Sequence, residues 1–125
     1  MPEPSAPKTV LVLEDHPLNM RLAADLLKVN GYRVLEAVDG ASALRLLATT
    51  VPALILMDIR LPDINGFDVF RRIQADPRLA GVKVAALTAS VMPEEEGPLR
   101  ALFHAYIPKP IDTKRFIEQV KALAG

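Results

Sequence analysis

Residues 54–58 read Leu-Ile-Leu-Met-Asp, a run of four large apolar side chains that stops at a carboxylate. A strand that is apolar on both faces is typical of the centre of a parallel sheet, because helices cover such a sheet on both sides. We therefore predict a central parallel strand that ends at Asp58, with the rest of the chain folded around it.

Four other apolar runs look like strands, and segments with helical spacing lie between them. The runs cover residues 10–13, 32–37, 82–87 and 105–107. Alternating strands and helices with short loops predict an α/β fold, in which helices cover both faces of one doubly wound, five-stranded parallel sheet.

The first helical segment carries large apolar residues at helical spacing. This stripe consists of Leu18, Leu22, Leu26, Leu27 and Val29. We expect the stripe to face the core. Asn30 and Gly31 follow it and predict a helix end at which the chain turns into the left-handed conformation.

The composition argues against several classes of function. Fifteen basic and fifteen acidic residues give no net charge, which argues against binding to nucleic acid. Cysteine is absent, so disulfides and thiolate metal sites are excluded. The apolar runs are too short to span a membrane. We therefore expect a cytoplasmic domain over residues 9–125, preceded by a flexible, proline-rich lead at residues 1–8.

Charged and polar residues follow the predicted strands at the points where the strands end. Glu14 and Asp15 follow the first strand, Asp58 ends the third, Thr88 follows the fourth, and Lys109 lies just beyond the fifth. Ligands of such sheets bind beyond the carboxyl ends of the strands. If the first and third strands are neighbours, three carboxylates crowd together, and two of them about 4 Å apart repel by about 4 kcal/mol. A cation that prefers hard oxygen ligands, Mg²⁺ or alternatively Mn²⁺, would relieve this repulsion.

The same residues suit the transfer of a phosphoryl group. An aspartate carboxylate is a competent nucleophile toward phosphorus, and Asp58 is the best candidate because its strand is the most buried. Lys109 and the Thr88 hydroxyl would stabilise the transferred group. Each residue alone has an ordinary explanation. An acidic pair after a strand is usually a helix cap, Thr88 can cap the next helix, and a single lysine is most often a solvated charge. Their coincidence at successive strand ends favours a functional site.

Five short motifs together resemble the receiver domains of response regulators, which form the CheY-like superfamily. The motifs are Leu13-Glu14-Asp15, Leu56-Met57-Asp58-Ile59, Leu61-Pro62 with Asn65-Gly66, Leu87-Thr88-Ala89, and Lys109-Pro110. The resemblance covers residues 9–123. Within the family, the chain resembles the stand-alone, DivK-like single-domain regulators. It implies a flavodoxin-like (βα)5 fold with strand order 2-1-3-4-5.

For function, the resemblance implies a phosphoacceptor of two-component signal transduction, which catalyses only its own phosphotransfer and dephosphorylation. A sensor histidine kinase or a histidine phosphotransfer protein would supply the phosphoryl group to Asp58. The aspartyl phosphate would then switch a surface that binds a downstream protein target. Asp15, Asp58 and the backbone carbonyl of Arg60 would bind Mg²⁺, with Glu14 acting largely through water. The chain would be a monomer or a weak homodimer.

The resemblance also implies roles around the phosphoryl group. Lys109 would pair with this group, helped by the Thr88 hydroxyl and the Ala89 amide. Movement of Thr88 would let Tyr106 turn from an exposed to a buried position. Pro110 would follow a cis peptide bond.

Residues 92–99 depart from the family pattern. Gly97 and Pro98 interrupt the expected fourth helix, and a proline inside a helix costs about 3 kcal/mol. We therefore expect the helix between the fourth and fifth strands to be short, displaced or mobile.

Three alternative functions remain open. A phosphatase of the aspartate-nucleophile type would carry a second aspartate where Arg60 stands. A nucleotide-binding module would need a glycine-rich loop after the first strand, and Glu14 and Asp15 stand there instead. A phosphorylation-independent, receiver-like interaction module would keep the fold without the transfer.

Overall fold

Strands and helices alternate along the chain. The structure, a computed structural model, describes residues 8–88, 97, 103–109 and 111–124. The described residues contain five strands and four helices, which are β1 (Thr9–Leu13), α1 (Pro17–Val29), β2 (Arg33–Ala37), α2 (Gly40–Leu47), β3 (Leu54–Asp58), α3 (Gly66–Ala75), β4 (Lys83–Thr88), β5 (Ala105–Pro108) and α4 (Thr113–Ala124).

The five strands form one parallel sheet. Their order is β2-β1-β3-β4-β5, which confirms the expected 2-1-3-4-5 arrangement. Strand β3 lies in the centre, and all five of its residues are buried. The apolar run that ends at Asp58 is therefore the central strand, as its sequence predicts.

Two apolar cores lie on opposite faces of the sheet. Successive residues of a strand point to opposite faces, so β3 divides its side chains between the two cores. Ile55 and Met57 pack with the buried residues of α2 and α3. Leu54 and Leu56 pack with those of α1 and α4. Helices thus cover both faces of the sheet, and its carboxyl edge is formed by the ends of the strands.

Helix α1 faces the core with a different stripe from the one predicted. Leu18, Leu22 and Val29 are 73%, 38% and 84% exposed, so the prediction that these residues face the core is wrong. The buried residues of α1 are Met20, Ala23, Ala24 and Leu27. These positions also have helical spacing, and the two alanines present little bulk toward the sheet. Leu27 belongs to both stripes, which is why spacing alone did not separate them.

The ends of the first two helices follow the local sequence. Gly31 has a φ of +89°, which confirms the left-handed turn predicted after α1. Asp39 caps α2, because its carboxylate accepts a hydrogen bond from the Ser42 amide at 2.8 Å. The Ser42 side chain in turn accepts from the Asp39 amide, so the pair forms a capping box.

Several expectations concern residues that the structure does not describe. Outside the described residues lie residues 1–7 of the expected lead, Ala89 and Pro110. The same holds for most of the segment that is expected to hold the irregular helix before β5. Within the part of the chain that is described, no helix is long and apolar enough to cross a membrane.

Candidate functional site

The register of the sheet gathers the predicted site residues at its carboxyl edge. Leu13 of β1 pairs with Met57 of β3, so the residues that follow them, Glu14 and Asp58, lie at neighbouring positions. On the other side, Thr88 of β4 pairs with Pro108 of β5, the residue before Lys109. The Lys109 amide donates to the Thr88 carbonyl at 2.8 Å and extends this pairing by one residue.

Asp58 is a buried carboxylate with a partner at each oxygen. Its Oδ1 accepts a hydrogen bond from the Arg60 amide at 2.9 Å. Its Oδ2 accepts from Nζ of Lys109, also at 2.9 Å. The residue is only 6% exposed and ends the fully buried strand β3, so the position and direction of the carboxylate are fixed by rigid structure.

Lys109 bridges two buried carboxylates. Its Nζ donates to Oε1 of Glu14 at 2.8 Å in addition to Asp58. Burial lowers the pKa of the Lys109 ammonium group, but the hydrogen bonds to Glu14 and Asp58 outweigh burial and leave the pKa above its ordinary value. Lys109 therefore carries a full positive charge at neutral pH.

Glu14 is almost completely buried, and both of its oxygens have protein donors. Oε1 accepts from Lys109, and Oε2 accepts from the His16 amide at 3.1 Å. Burial raises the pKa of the Glu14 carboxyl, and the hydrogen bonds from Lys109 and His16 offset that rise only in part. Glu14 is 1% exposed and is, with Asp58, one of the two buried carboxylates that hold the Lys109 ammonium group.

Three carboxylates have the geometry of a metal site. Glu14, Asp15 and Asp58 each offer an oxygen, and these oxygens lie within 4.8 Å of one another. Asp15 is exposed, while the other two residues are buried. Oxygen donors of this kind suit Mg²⁺, which keeps several of its waters and binds proteins through one or two carboxylates. The residues present fit the ion that the sequence implied.

The remaining predicted residues surround this cluster or lie farther along the strands. Thr88 is 4% exposed and ends β4. Arg60 is exposed two residues after Asp58. Tyr106 belongs to β5, pairs with Ala86 of β4 and is 40% exposed. The roles expected of Ala89 and Pro110 fall outside the described residues.

Sequence reasoning did not single out Asp63 in the loop after β3. Its carboxylate accepts hydrogen bonds from the amides of Gly40 and Ala41, the first residues of α2, at 2.9 and 3.0 Å. An Asp-Ile-Asn-Gly sequence signals a turn, but no local pattern identifies a partner more than twenty residues away.

Comparisons with known proteins identify the family of the chain. Residues 10–121 match the family of response regulator receiver domains. The polar-differentiation response regulator DivK of Brucella anthropi is 41% identical over 120 residues, which cover 95% of this chain and 98% of the relative.

Solved structures share the fold over nearly the whole chain. The receiver domain of a sensor histidine kinase from Pseudomonas aeruginosa, which has a magnesium ion in its active-site cleft, is 29% identical with a TM-score of 0.87, and the match covers 96% of this chain and 99% of that one. The chemotaxis response regulator CheY4 of Vibrio cholerae is 20% identical with a TM-score of 0.87 over 94% of this chain and 98% of that one, which shows the common fold. The family match spans most of the sequence, and the chain therefore belongs to the response regulator receiver domains of two-component signalling.

Proposed function

We propose that Asp58 accepts a phosphoryl group from a phosphohistidine of a sensor histidine kinase or a histidine phosphotransfer protein, in a reaction that depends on Mg²⁺. The aspartyl phosphate then alters a surface that binds a downstream protein target. The observation that carries this proposal is the position of Lys109, whose ammonium group is bonded to both Glu14 and Asp58 at the edge where the carboxylates meet.

The proposed transfer uses one oxygen of Asp58 as the nucleophile. A lone pair of this oxygen forms the new P–O bond while the P–N bond of the donor breaks. The electron pair of the P–N bond stays with the imidazole nitrogen. The rigid position of Asp58 at the end of β3 supports this role, because a nucleophile held in place needs little reorganisation. The carboxylate loses its single negative charge and the phosphoryl oxygens bring about two, so the site becomes more negative.

The positive charge of Lys109 is the main support for stabilising the transferred group. In the unmodified protein Nζ is already 2.9 Å from Oδ2 of Asp58. Negative oxygens on a phosphoryl group attached to Asp58 would lie near this cation, and such preorganised charges stabilise phosphoryl transfer. Thr88, buried at the end of the adjacent strand, would add a hydroxyl donor.

The acidic cluster supports a role for Mg²⁺. Asp15, Asp58 and the backbone carbonyl of Arg60 would hold the ion, with Glu14 acting through water. When bound, the ion neutralises charge on the phosphoryl oxygens. The receiver domain from Pseudomonas aeruginosa, with magnesium in its cleft, offers a parallel for this part of the proposal. A cytoplasmic location would fit a partner kinase that uses ATP.

Phosphorylation with a small donor tests the proposal directly. The protein is incubated with acetyl phosphate, with and without Mg²⁺, and its intact mass is measured. We expect one added phosphoryl group that requires Mg²⁺ and is absent from Asp58→Asn. Asp68→Asn is the matched control, because Asp68 is an exposed carboxylate of α3 and should leave modification unchanged.

Three results would reject the proposal. An unmodified wild-type protein in the presence of Mg²⁺ and donor would favour the phosphorylation-independent interaction module. Modification that persists in Asp58→Asn would assign the acceptor to another residue. Steady release of inorganic phosphate from small phosphate esters would instead indicate a phosphatase.

A further inference from the structure

Asp63 ties the loop after β3 to the beginning of helix α2. Its Oδ1 accepts from the Gly40 amide at 2.9 Å and from its neighbour Ile64 at 2.8 Å. Its Oδ2 accepts from the Ala41 amide at 3.0 Å. The carboxylate thus satisfies amides at the start of a helix, where partial positive charge favours an anion.

Side-chain packing reinforces this connection. A Cβ added to Gly40 would lie 3.2 Å from both Cβ and Cδ1 of Ile64, so the start of α2 already lies against the loop. The hydrogen bond from the Gly40 amide lowers the pKa of the Asp63 carboxyl. Burial opposes this effect in part, and the hydrogen bonds from the Ala41 and Ile64 amides add to it. The carboxylate is therefore charged, and available for these bonds, at neutral pH.

The same loop carries the backbone that adjoins Asp58. We name residues 59–65 the β3–α3 loop. Near its start the Arg60 amide donates to Asp58 at 2.9 Å, and at its far end the Gly66 amide donates to the Ile59 carbonyl at 3.0 Å. Asp63 lies between these two attachments and adds hydrogen bonds that join the middle of the loop to the start of α2.

We propose that Asp63 is a positioning residue for the Mg²⁺ site, and that it acts by holding the β3–α3 loop against α2 with the Arg60 backbone beside Asp58. This inference rests on the proposed function, in which the Arg60 carbonyl binds the ion. A loop that is ordered before the ion arrives avoids the entropy cost of ordering on binding. Groups that orient metal ligands typically change metal affinity by about 10- to 100-fold when removed.

The test compares Asp63→Ala with Asp39→Ala. Both changes remove one negative charge and one capping carboxylate from the same end of α2, but the bonds of Asp39 go to Ser42 within the helix. Mg²⁺ affinity is measured by calorimetry on metal-free protein, and amide hydrogen exchange is followed at Ile64 and Arg60. The rate of modification by acetyl phosphate at saturating Mg²⁺ gives a third readout.

We expect a change specific to Asp63. Asp63→Ala should weaken Mg²⁺ binding by about tenfold and speed exchange of the Ile64 amide, with the saturated rate unchanged. Asp39→Ala should leave Mg²⁺ affinity at the wild-type value. Asp63→Asn keeps one acceptor oxygen and should give an intermediate affinity, and it takes the place of the alanine variant if that protein does not fold.

The opposite results are distinct from failure of the proposed function. The wild type can bind Mg²⁺ and be modified at Asp58 while the Asp63 variants bind Mg²⁺ with unchanged affinity. This result overturns only the positioning role. Equal weakening in Asp39→Ala also overturns it, since the effect would then arise from charge or from the stability of α2. A wild-type protein that neither binds Mg²⁺ nor is modified overturns both proposals.

Discussion

Gly66 packs directly on the backbone of Ile59. A Cβ atom added to Gly66 would lie 2.5 Å from Cα of Ile59 and 3.0 Å from its carbonyl oxygen. The Gly66 amide also donates to that oxygen, at 3.0 Å. This close approach closes the β3–α3 loop immediately after Asp58, and a residue with a side chain cannot make it without moving the backbone.

Gly66→Ala should therefore destabilise the protein. Backbone atoms cannot turn aside as a flexible side chain can, and overpacking of this kind costs about 1–3 kcal/mol. Urea unfolding followed by circular dichroism measures the loss. Gly81→Ala is the control, because a Cβ there has nothing within 4 Å, and it should change stability by less than about 1 kcal/mol. Equal effects of the two substitutions would contradict the steric explanation.

The sheet and the charged edge could be predicted from the sequence because both depend on short-range patterns. The apolar run of β3 predicts a buried central strand, and parallel pairing then brings the residues at the ends of β1, β3 and β5 to one edge. Glu14, Asp58 and Lys109 meet there for this reason. The order of the strands came from family resemblance, since spacing does not determine which strands are neighbours.

Other features depend on contacts that no local pattern records. Helix α1 has two apolar stripes, and only packing decides that Ala23 and Ala24 face the sheet while Leu18 does not. The hydrogen bond from the Gly40 amide to the Asp63 carboxylate joins residues 23 apart. Similarly, Nδ1 of His104 accepts from the amide of Val84, twenty residues earlier, at 2.9 Å. Such pairs follow from the finished fold.

Removal of Lys109 should destabilise the metal-free protein strongly. Lys109→Met leaves Glu14 and Asp58 as neighbouring buried carboxylates without their cation, and breaking a buried ion pair from one side costs about 3–5 kcal/mol. Added Mg²⁺ should restore part of this loss, because an ion that binds the folded state stabilises it. Thermal unfolding with and without Mg²⁺ measures both effects.

An exposed ion pair provides the comparison for Lys109. Nζ of Lys28 lies 3.6 Å from Oε2 of Glu36, and both side chains are about half exposed. Lys28→Met should cost less than about 1 kcal/mol and should not make stability more dependent on Mg²⁺. If Lys109→Met were no less stable than Lys28→Met, the bridging role of Lys109 would be wrong.

Asp39 should contribute stability that disappears in acid. Hydrogen bonds from the side chain and then the backbone of Ser42 lower the pKa of Asp39 below its ordinary value of 3.8. The unfolded chain therefore binds the proton first as the pH falls, and the contribution is lost as the pH passes through the lower, folded-state pKa. Asp39→Asn, which keeps a capping oxygen without the charge, should be less stable than the wild type at neutral pH.

The pH dependence of that difference is the measurement. Urea unfolding of wild type and Asp39→Asn from neutral pH into the acid range should give a stability gap that is constant above 3.8 and closes below the folded-state pKa of Asp39. A gap that persists at the lowest pH would show that the asparagine side chain caps the helix poorly, and that charge is not the cause.

Activation should bury Tyr106. Tyr106 is 40% exposed on β5 in the unmodified protein, so it has surface to lose. Removal of apolar surface from water is favourable by about 25 cal/mol per Å². We expect the Thr88 hydroxyl to move toward a phosphoryl group on Asp58 and to make room for the Tyr106 ring.

Tyr32→Phe leaves Tyr106 as the single tyrosine, since the chain has two and lacks tryptophan. Acrylamide quenching of its fluorescence should fall when beryllofluoride and Mg²⁺ mimic the phosphoryl group. Thr88→Val, which keeps the size of the side chain without the hydroxyl, should abolish that change. If quenching in the protein that keeps Thr88 is the same with and without beryllofluoride, Tyr106 is not a switch.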